Sequence, residues 1–221
     1  MPEHRVFVAS LPRCGSSMMS GALERLGVHM VYTTEDAEEC ERREEAERKR
    51  YGEHYRMNPA FFEIDKDHFA NWVKVYNTPF SGCKVIIPVG GMRWEAMKAR
   101  PAKVIMMWRE PAEIRQSQEA SYKQARATYS GAEDREPWEH AEACLRTRLA
   151  QAEIQFSKQA EESDSFEWIQ VRYRDVLTDP RAEVFRVAEF IGASRERIDD
   201  ATRSIDPSLC RFKVEDLAVG V

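Results

Sequence analysis

The apolar positions of this chain fall into short continuous runs separated by stretches with helical spacing. Val6–Ala9, Val28–Tyr32, Lys84–Pro88, Lys103–Trp108 and Phe166–Val171 are such runs, each bounded by turn-forming or charged residues. Short runs without polar alternation predict strands buried on both faces. Between them apolar residues recur every third or fourth position. Met18, Met19, Ala22, Leu23 and Leu26 predict a first helix that ends at Gly27. A short helix is expected over Trp94–Arg100, and a longer one from Pro111 through Ile114, Ser117 and Ser121 towards Gly131. Glu136-Pro137 opens another, with Trp138, Ala141, Leu145, Leu149, Ala152 and Phe156 on one face. Asp179 caps a helix with Pro180 at its first position, Val184, Val187, Ala188 and Ile191 facing inward, and Gly192 at its end. A last helical piece covers Arg195 to Ser204. Strands alternating with helices predict an α/β fold, a parallel sheet covered on both faces.

One segment departs from this alternation. Glu35 to Arg56 is crowded with Glu and Arg and reads as a solvated helix laced with i,i+4 ion pairs, begun at Thr33 or Thr34. A lid is the alternative use for it. The following residues, 57–82, carry Phe61, Phe62, Phe69, Trp72, Tyr76 and Phe80, which pack a core or line a pocket for a ligand with an apolar body. With 221 residues, one domain is expected over 1–221, with a charged helical and aromatic insertion at 33–82.

Composition narrows the function classes. A net charge of −5, with no basic cluster outside the strand ends, argues against broad nucleic-acid binding. No apolar stretch approaches membrane-spanning length, and the first residues do not form a signal peptide. Five scattered cysteines point to a reducing, cytoplasmic setting rather than a disulfide framework. No C-x-x-C pair is present and the histidines are dispersed, so no metal is expected.

The chemistry concentrates at residues 5–27. A strand, a tight turn at Leu11-Pro12-Arg13-Cys14-Gly15 and a helix start make an anion cradle, because the first amides of a helix lack intrahelical partners and its dipole favours negative charge. Ser16 and Ser17 add hydroxyl donors, and Arg13 adds a permanent charge able to make paired hydrogen bonds to phosphate or sulfate. Arg109 also follows an apolar strand directly and precedes a helix. Ligands of parallel sheets bind at the carboxyl ends of the strands, so two arginines there imply a ligand with two separated anionic groups.

These residues resemble the sulfotransferases that use 3′-phosphoadenosine 5′-phosphosulfate (PAPS). Pro12-Arg13-Cys14-Gly15-Ser16-Ser17 is similar to their first signature, and Arg109 with Ser117 eight positions later to their second. Tyr173, Asp175, Asp179-Pro180 and Phe190-Ile191-Gly192 resemble a third, and Asp206-Pro207-Ser208-Leu209 resembles the tail of bacterial and phage members. The resemblance implies a three-layer sandwich around a mostly parallel sheet, the P-loop NTPase-like architecture of sulfotransferases. It implies that backbone amides from Gly15 to Met18, with Cys14, Ser16 and Ser17, hold the 5′-phosphosulfate. Arg109 and Ser117 would hold the 3′-phosphate, with Tyr173 near the adenine and Arg211 and Lys213 reinforcing the phosphate. Lys84 would touch the sulfuryl group, and Arg13 would stabilise the charge building on the bridging oxygen as the phosphate leaves. The product would be 3′,5′-bisphosphoadenosine (PAP), the acceptor a small molecule or carbohydrate bearing a hydroxyl or amine, and no metal would be needed.

One departure bears on catalysis. Cytosolic members carry Lys-x-His-x-Pro, and here Lys84 and Pro88 match while Ile86 stands at the His position. The base then comes from elsewhere, with Glu63 first and Asp65, His68 and His54 as the other candidates; bacterial relatives resemble Asn58-Pro59 to Glu63 in placing an aromatic pair before a Glu. Cys14 stands where the family has Ser, and the Arg that a phosphatase would place six positions on is Ser20. Two other functions compete. A P-loop kinase of small molecules would require G-x-x-x-x-G-K-[ST], whose first Gly and Lys are missing. A nucleotide-binding module without activity would keep the same cradle and transfer nothing.

Overall fold

The sheet is built outward from its first strand. In the computed structural model, which describes residues 4–30, 82–87, 94–98, 100–128 and 142–206, β1 (Arg5–Ser10) is buried at every position. It pairs in parallel with β2 (Gly82–Ile86) on one side and β3 (Ala102–Trp108) on the other. The fourth strand, β4 (Phe166–Arg172), extends the sheet beyond β3, giving the order β2-β1-β3-β4 with all neighbours parallel. The uninterrupted apolar runs of β1 and β3 follow from this placement, since an inner strand of a covered sheet has no solvated face. Of the run Val28–Tyr32, Met30 makes one parallel bridge to Gly82. Val31, Tyr32 and the insertion up to Ser81 lie outside the described residues.

Seven α-helices are described. They are α1 (Ser16–Arg25), α2 (Trp94–Lys98), α3 (Pro111–Thr128), α4 (Glu142–Glu162), α5 (Tyr173–Thr178), α6 (Pro180–Ile191) and, after a 3₁₀ turn at Arg195–Arg197, α7 (Ile198–Arg203). The expected start of α4 at Glu136-Pro137 is outside the described residues. Alternation along β4 sorts the helices into two layers. Phe166 and Trp168 point to one face, where Phe156 of α4 lies 5.8 Å from Trp168 and Trp94 of α2 packs edge-on to Phe156 at 5.5 Å. Glu167 points to the other, pairs with Lys103 across the β3–β4 register, and Lys103 Nζ donates to the Phe190 carbonyl of α6 at 2.6 Å. α7 packs against both α6 and α1, which completes that second layer. Helix, sheet and helix form the expected three-layer sandwich.

Local signals explain the ends of the elements. Asp179 accepts from the Ala182 amide at 3.0 Å and Pro180 follows it, so α6 begins where a cap and a pre-set φ coincide. α6 stops at Gly192, whose φ is 71°. The six-residue helix α5 has no counterpart in the sequence reading: with only Tyr173 and Val176 buried, it is too short to show a period.

The chain leaves β1 towards β2 and returns to its other side with β3. Open parallel sheets bind ligands at such a reversal, outside the carboxyl ends of the strands.

Gly82 holds this centre together through close approach. A β-carbon there would lie 2.7 Å from Val28 Cγ1, 2.9 Å from Met30 Sδ and 3.0 Å from the Val6 carbonyl oxygen, and the last of these is backbone. Gly82→Ala is therefore expected to destabilise the fold by about 1–3 kcal/mol, as overpacked sites do. A lowered thermal midpoint by circular dichroism would show it, and an unchanged midpoint would mean that the strands separate freely.

Candidate anion-binding site at the strand ends

After β1 the chain turns sharply through backbone conformations that few residues adopt. Leu11 is buried and its carbonyl accepts from the Cys14 amide at 3.3 Å. Arg13 has φ 73° and Gly15 φ 87°, both in the left-handed region. The turn delivers the chain to α1 with Gly15 as N-cap, no side chain capping the helix and no acidic residue in its first turn. The helix start thus keeps its partial positive charge, with no carboxylate of its own first turn to neutralise it. Gly15 is required twice over. Its φ is unfavourable for any side chain, and a β-carbon would meet Tyr173 Cδ2 at 2.4 Å.

The β3–α3 junction is fastened to this turn. Arg109 is buried, its Nη1 donates to the Arg13 carbonyl oxygen at 3.1 Å, and its Nε donates to Glu113 Oε2 at 2.9 Å. Its guanidinium carbon lies 4.3 Å from the centre of the Tyr173 ring. From the turn itself, Arg13 Nε donates to Ser117 Oγ at 3.1 Å, and Gln118 Nε2 donates to the Pro12 carbonyl at 3.4 Å. Lys84 joins from β2. Its position pairs with Val8 below the strand ends, and its buried side chain reaches Ser17 Oγ with Nζ at 3.2 Å. Three cations and two hydroxyls, brought by three adjacent strands and two helices, therefore surround one helix start.

Of the residues singled out in the sequence, Arg13, Cys14, Gly15, Ser16, Ser17, Met18, Lys84, Arg109, Ser117 and Tyr173 are gathered here. Tyr173 is buried, its ring set against Gly15 and the Arg109 guanidinium. Glu63, Arg211, Lys213, His54, Asp65, His68 and Pro88 lie outside the described residues. Two residues escaped the sequence reading. Glu113 is buried between Arg109 and Arg174, whose Nε donates to Glu113 Oε1 at 2.8 Å. The i,i+4 spacing of Arg109 and Glu113 at a helix start was the available signal, whereas nothing in the sequence marks Arg174.

Cys14 has no exposed surface, and burial pushes its thiol up to about 12 although the Arg109 charge works the other way. Among the described residues there is no group of three or more His, Cys, Asp or Glu able to hold a metal ion. No described helix is long and apolar enough to cross a membrane.

A family model described as a sulfotransferase domain matches residues 5–189. No curated protein sequence matches the chain. Among solved structures, retinol dehydratase in complex with androsterone and the inactive cofactor PAP superposes with a TM-score of 0.52 at 16% identity, covering 93% of this chain and 65% of that one. A mouse sulfotransferase complexed with PAP gives 0.55 at 11% identity, covering 98% and 69%. A sulfotransferase from Mycobacterium avium gives 0.50 at 14% identity, covering 98% and 74%. At these identities the likeness is one of fold. The chain spans 65% of the length of the retinol dehydratase chain.

The raised Cys14 pKa makes a reactivity prediction. Its folded-state value lies above the ordinary one, so the thiol stays protonated through pH 8 and ionises only as pH approaches about 12. Iodoacetamide at pH 8 should label the exposed Cys144 of α4 and spare Cys14 until the protein is unfolded, as read by peptide mass spectrometry. Rapid labelling of Cys14 in the native protein would restore it as a nucleophile.

Proposed function

Since the chain belongs to the sulfotransferase domain family, we propose that it moves a sulfuryl group from PAPS to a hydroxyl or amine of a small-molecule or carbohydrate acceptor, leaving PAP. The observation that carries this reading is the contact between the two strand-end arginines, with Arg109 bonded to the Arg13 carbonyl and Arg13 bonded to Ser117. One ligand with two anionic groups can engage both. The donor set fits such a ligand: an uncapped helix start without acids in its first turn, Lys84 at Ser17, and the buried Arg109 and Ser117, each bonded to Arg13.

When bound, PAPS would supply an activated sulfuryl group on a phosphate leaving group. The chain's own task is positioning and charge neutralisation, as in phosphoryl transfer. Amides from Gly15 to Met18, with Ser16 and Ser17, would bind the 5′ end beside Lys84. Arg109 and Ser117 would bind the 3′-phosphate, and Arg211 would reinforce that contact. A phosphate can accept from the Ser117 hydroxyl while Ser117 Oγ still accepts from Arg13 Nε, so the same hydroxyl would tie the 3′-phosphate to Arg13, and Arg13 would act at the bridging oxygen. Arg13 would stabilise charge there but not donate a proton, because a guanidinium stays protonated. Transfer forms the bond from acceptor oxygen or nitrogen to sulfur, breaks the bond from sulfur to the bridging oxygen, and passes the acceptor proton to a base. Ile86 cannot be that base, and Glu63 is the residue we assign to it. No divalent ion is called for by this donor set. We assign the whole of 1–221 to a single domain with 33–82 inserted in it, working in the cytoplasm.

Two substitutions should act differently. Arg109→Ala is expected to weaken PAP binding by about 2–5 kcal/mol, the cost of truncating one side of a buried charge contact. Arg13→Ala should leave PAP affinity within about tenfold and lower turnover more strongly, because its contact forms as charge develops. Calorimetric titration with PAP, and with ATP with and without Mg²⁺, gives the reference. A preference for ATP with metal would replace this reading with a kinase. Tight PAP binding without transfer to any acceptor of a broad panel would leave a binding module.

A further inference from the structure

Glu113 is the most enclosed of the charged side chains described, at 1% exposure. A carboxylate so far from water is tolerated only when its oxygens are paired. Both are: Oε2 accepts from Arg109 Nε at 2.9 Å and Oε1 from Arg174 Nε at 2.8 Å. Arg109 is thereby held at three places, by Glu113 at Nε, by the Arg13 carbonyl at Nη1 and by the Tyr173 ring, whose centre lies 4.3 Å from its guanidinium carbon. Arg174, by contrast, leaves 43% of its side chain in solvent. One carboxylate shared between two guanidiniums leaves the trio with an excess positive charge.

We infer that Glu113 is the positioning residue of the 3′-phosphate subsite, orienting the Arg109 guanidinium so that a 3′-phosphorylated nucleotide is distinguished from one without that group. Arg174 completes the device: it balances the buried carboxylate, so that pairing with Glu113 does not cancel the charge of Arg109. The inference rests on the PAPS reading of the site.

Charge and orientation predict opposite signs for Glu113→Gln. Removing the carboxylate raises the positive charge of the cluster, which by itself would tighten the binding of a phosphate. A glutamine oxygen serves only one of the two arginines, however, and its amide hydrogens oppose the N–H groups of the other. If Glu113 acts by orientation, binding weakens.

The test is calorimetric titration of the full chain with PAP and with adenosine 5′-monophosphate, for the wild type, Glu113→Gln and Glu113→Asp. The wild type should prefer PAP. In Glu113→Gln, PAP affinity should fall about 10- to 100-fold, in keeping with the loss of a hydrogen bond to a charged group, while monophosphate affinity stays within about twofold. Glu113→Asp keeps the charge with a shorter reach and should give a smaller loss of the same preference. Unchanged or tighter PAP binding by Glu113→Gln would overturn the inference, as would parallel losses for both nucleotides. If Glu113→Gln fails to fold by circular dichroism, Glu113→Asp decides: a reduced PAP preference supports the inference and an unchanged one overturns it. A wild type that binds both nucleotides equally would remove the donor reading itself, and this inference with it.

Discussion

The turn between β1 and α1 is held in a conformation it would not keep alone. Arg13 and Gly15 both have positive φ, and a non-glycine residue in that region costs on the order of 1–3 kcal/mol unless its surroundings over-determine it. Here the surroundings come from elsewhere in the chain. Arg109 reaches over from the end of β3 to the Arg13 carbonyl, and Ser117 and Gln118 of α3 hold the Arg13 side chain and the Pro12 carbonyl. Tyr173, at the end of β4, fills the space that a side chain on Gly15 would need. The ends of β3 and β4 are therefore locked to the strained turn that follows β1. Without the β1–β3 register that sets Ser10 beside Met107, these contacts would not meet.

The order of strands makes this convergence possible. Because β1 lies between β2 and β3, residues at the ends of both neighbours sit beside the turn. Lys84 approaches from one side and Arg109 from the other, each buried along most of its length with its cationic group at the turn. Such cations bind an anion with little loss of side-chain freedom, since packing has already restricted them. The sheet thus supplies the geometry of the site, and the helix start supplies amides oriented by the same turn.

Much of this was legible in the sequence because its signals are local. Apolar runs marked β1 to β4, Gly27 and Gly192 marked helix ends, and Asp179-Pro180 marked the start of α6. Arg13 and Arg109 could be placed at one edge of the sheet from their positions after strands, before any contact between them was known. What stayed hidden depends on tertiary proximity. Arg174 follows β4 and has no periodic partner, so its bond to Glu113, 61 residues earlier, has no sequence signature. Helix α5 is too short to carry a period, and the place of Tyr173 against Gly15 needs two chain reversals to be known at once. The adenine contact read for Tyr173 came from resemblance, which carries no packing information.

The electrostatics of the strand ends also follow from pairing rather than from composition. The chain carries a net charge of −5, yet among the described residues the two acids at the start of α3, Glu110 and Glu113, are both paired with arginines. Glu113 is shared between Arg109 and Arg174, and Glu110 lies 3.3 Å from Arg146 of α4. Coulomb interactions weaken with distance and are screened beyond roughly 8–10 Å at ordinary salt, so dispersed surface carboxylates contribute little at the turn. Among the described residues, Arg13, Lys84, Arg109 and the helix start are the positive groups brought together there. Net charge bears on solubility and non-specific contacts, whereas the sign of a site depends on which charges are buried within reach of it. An acidic chain can therefore gather cations at one edge of its sheet when, as with Glu113 and Glu110, the carboxylates described beside that edge are themselves paired with arginines.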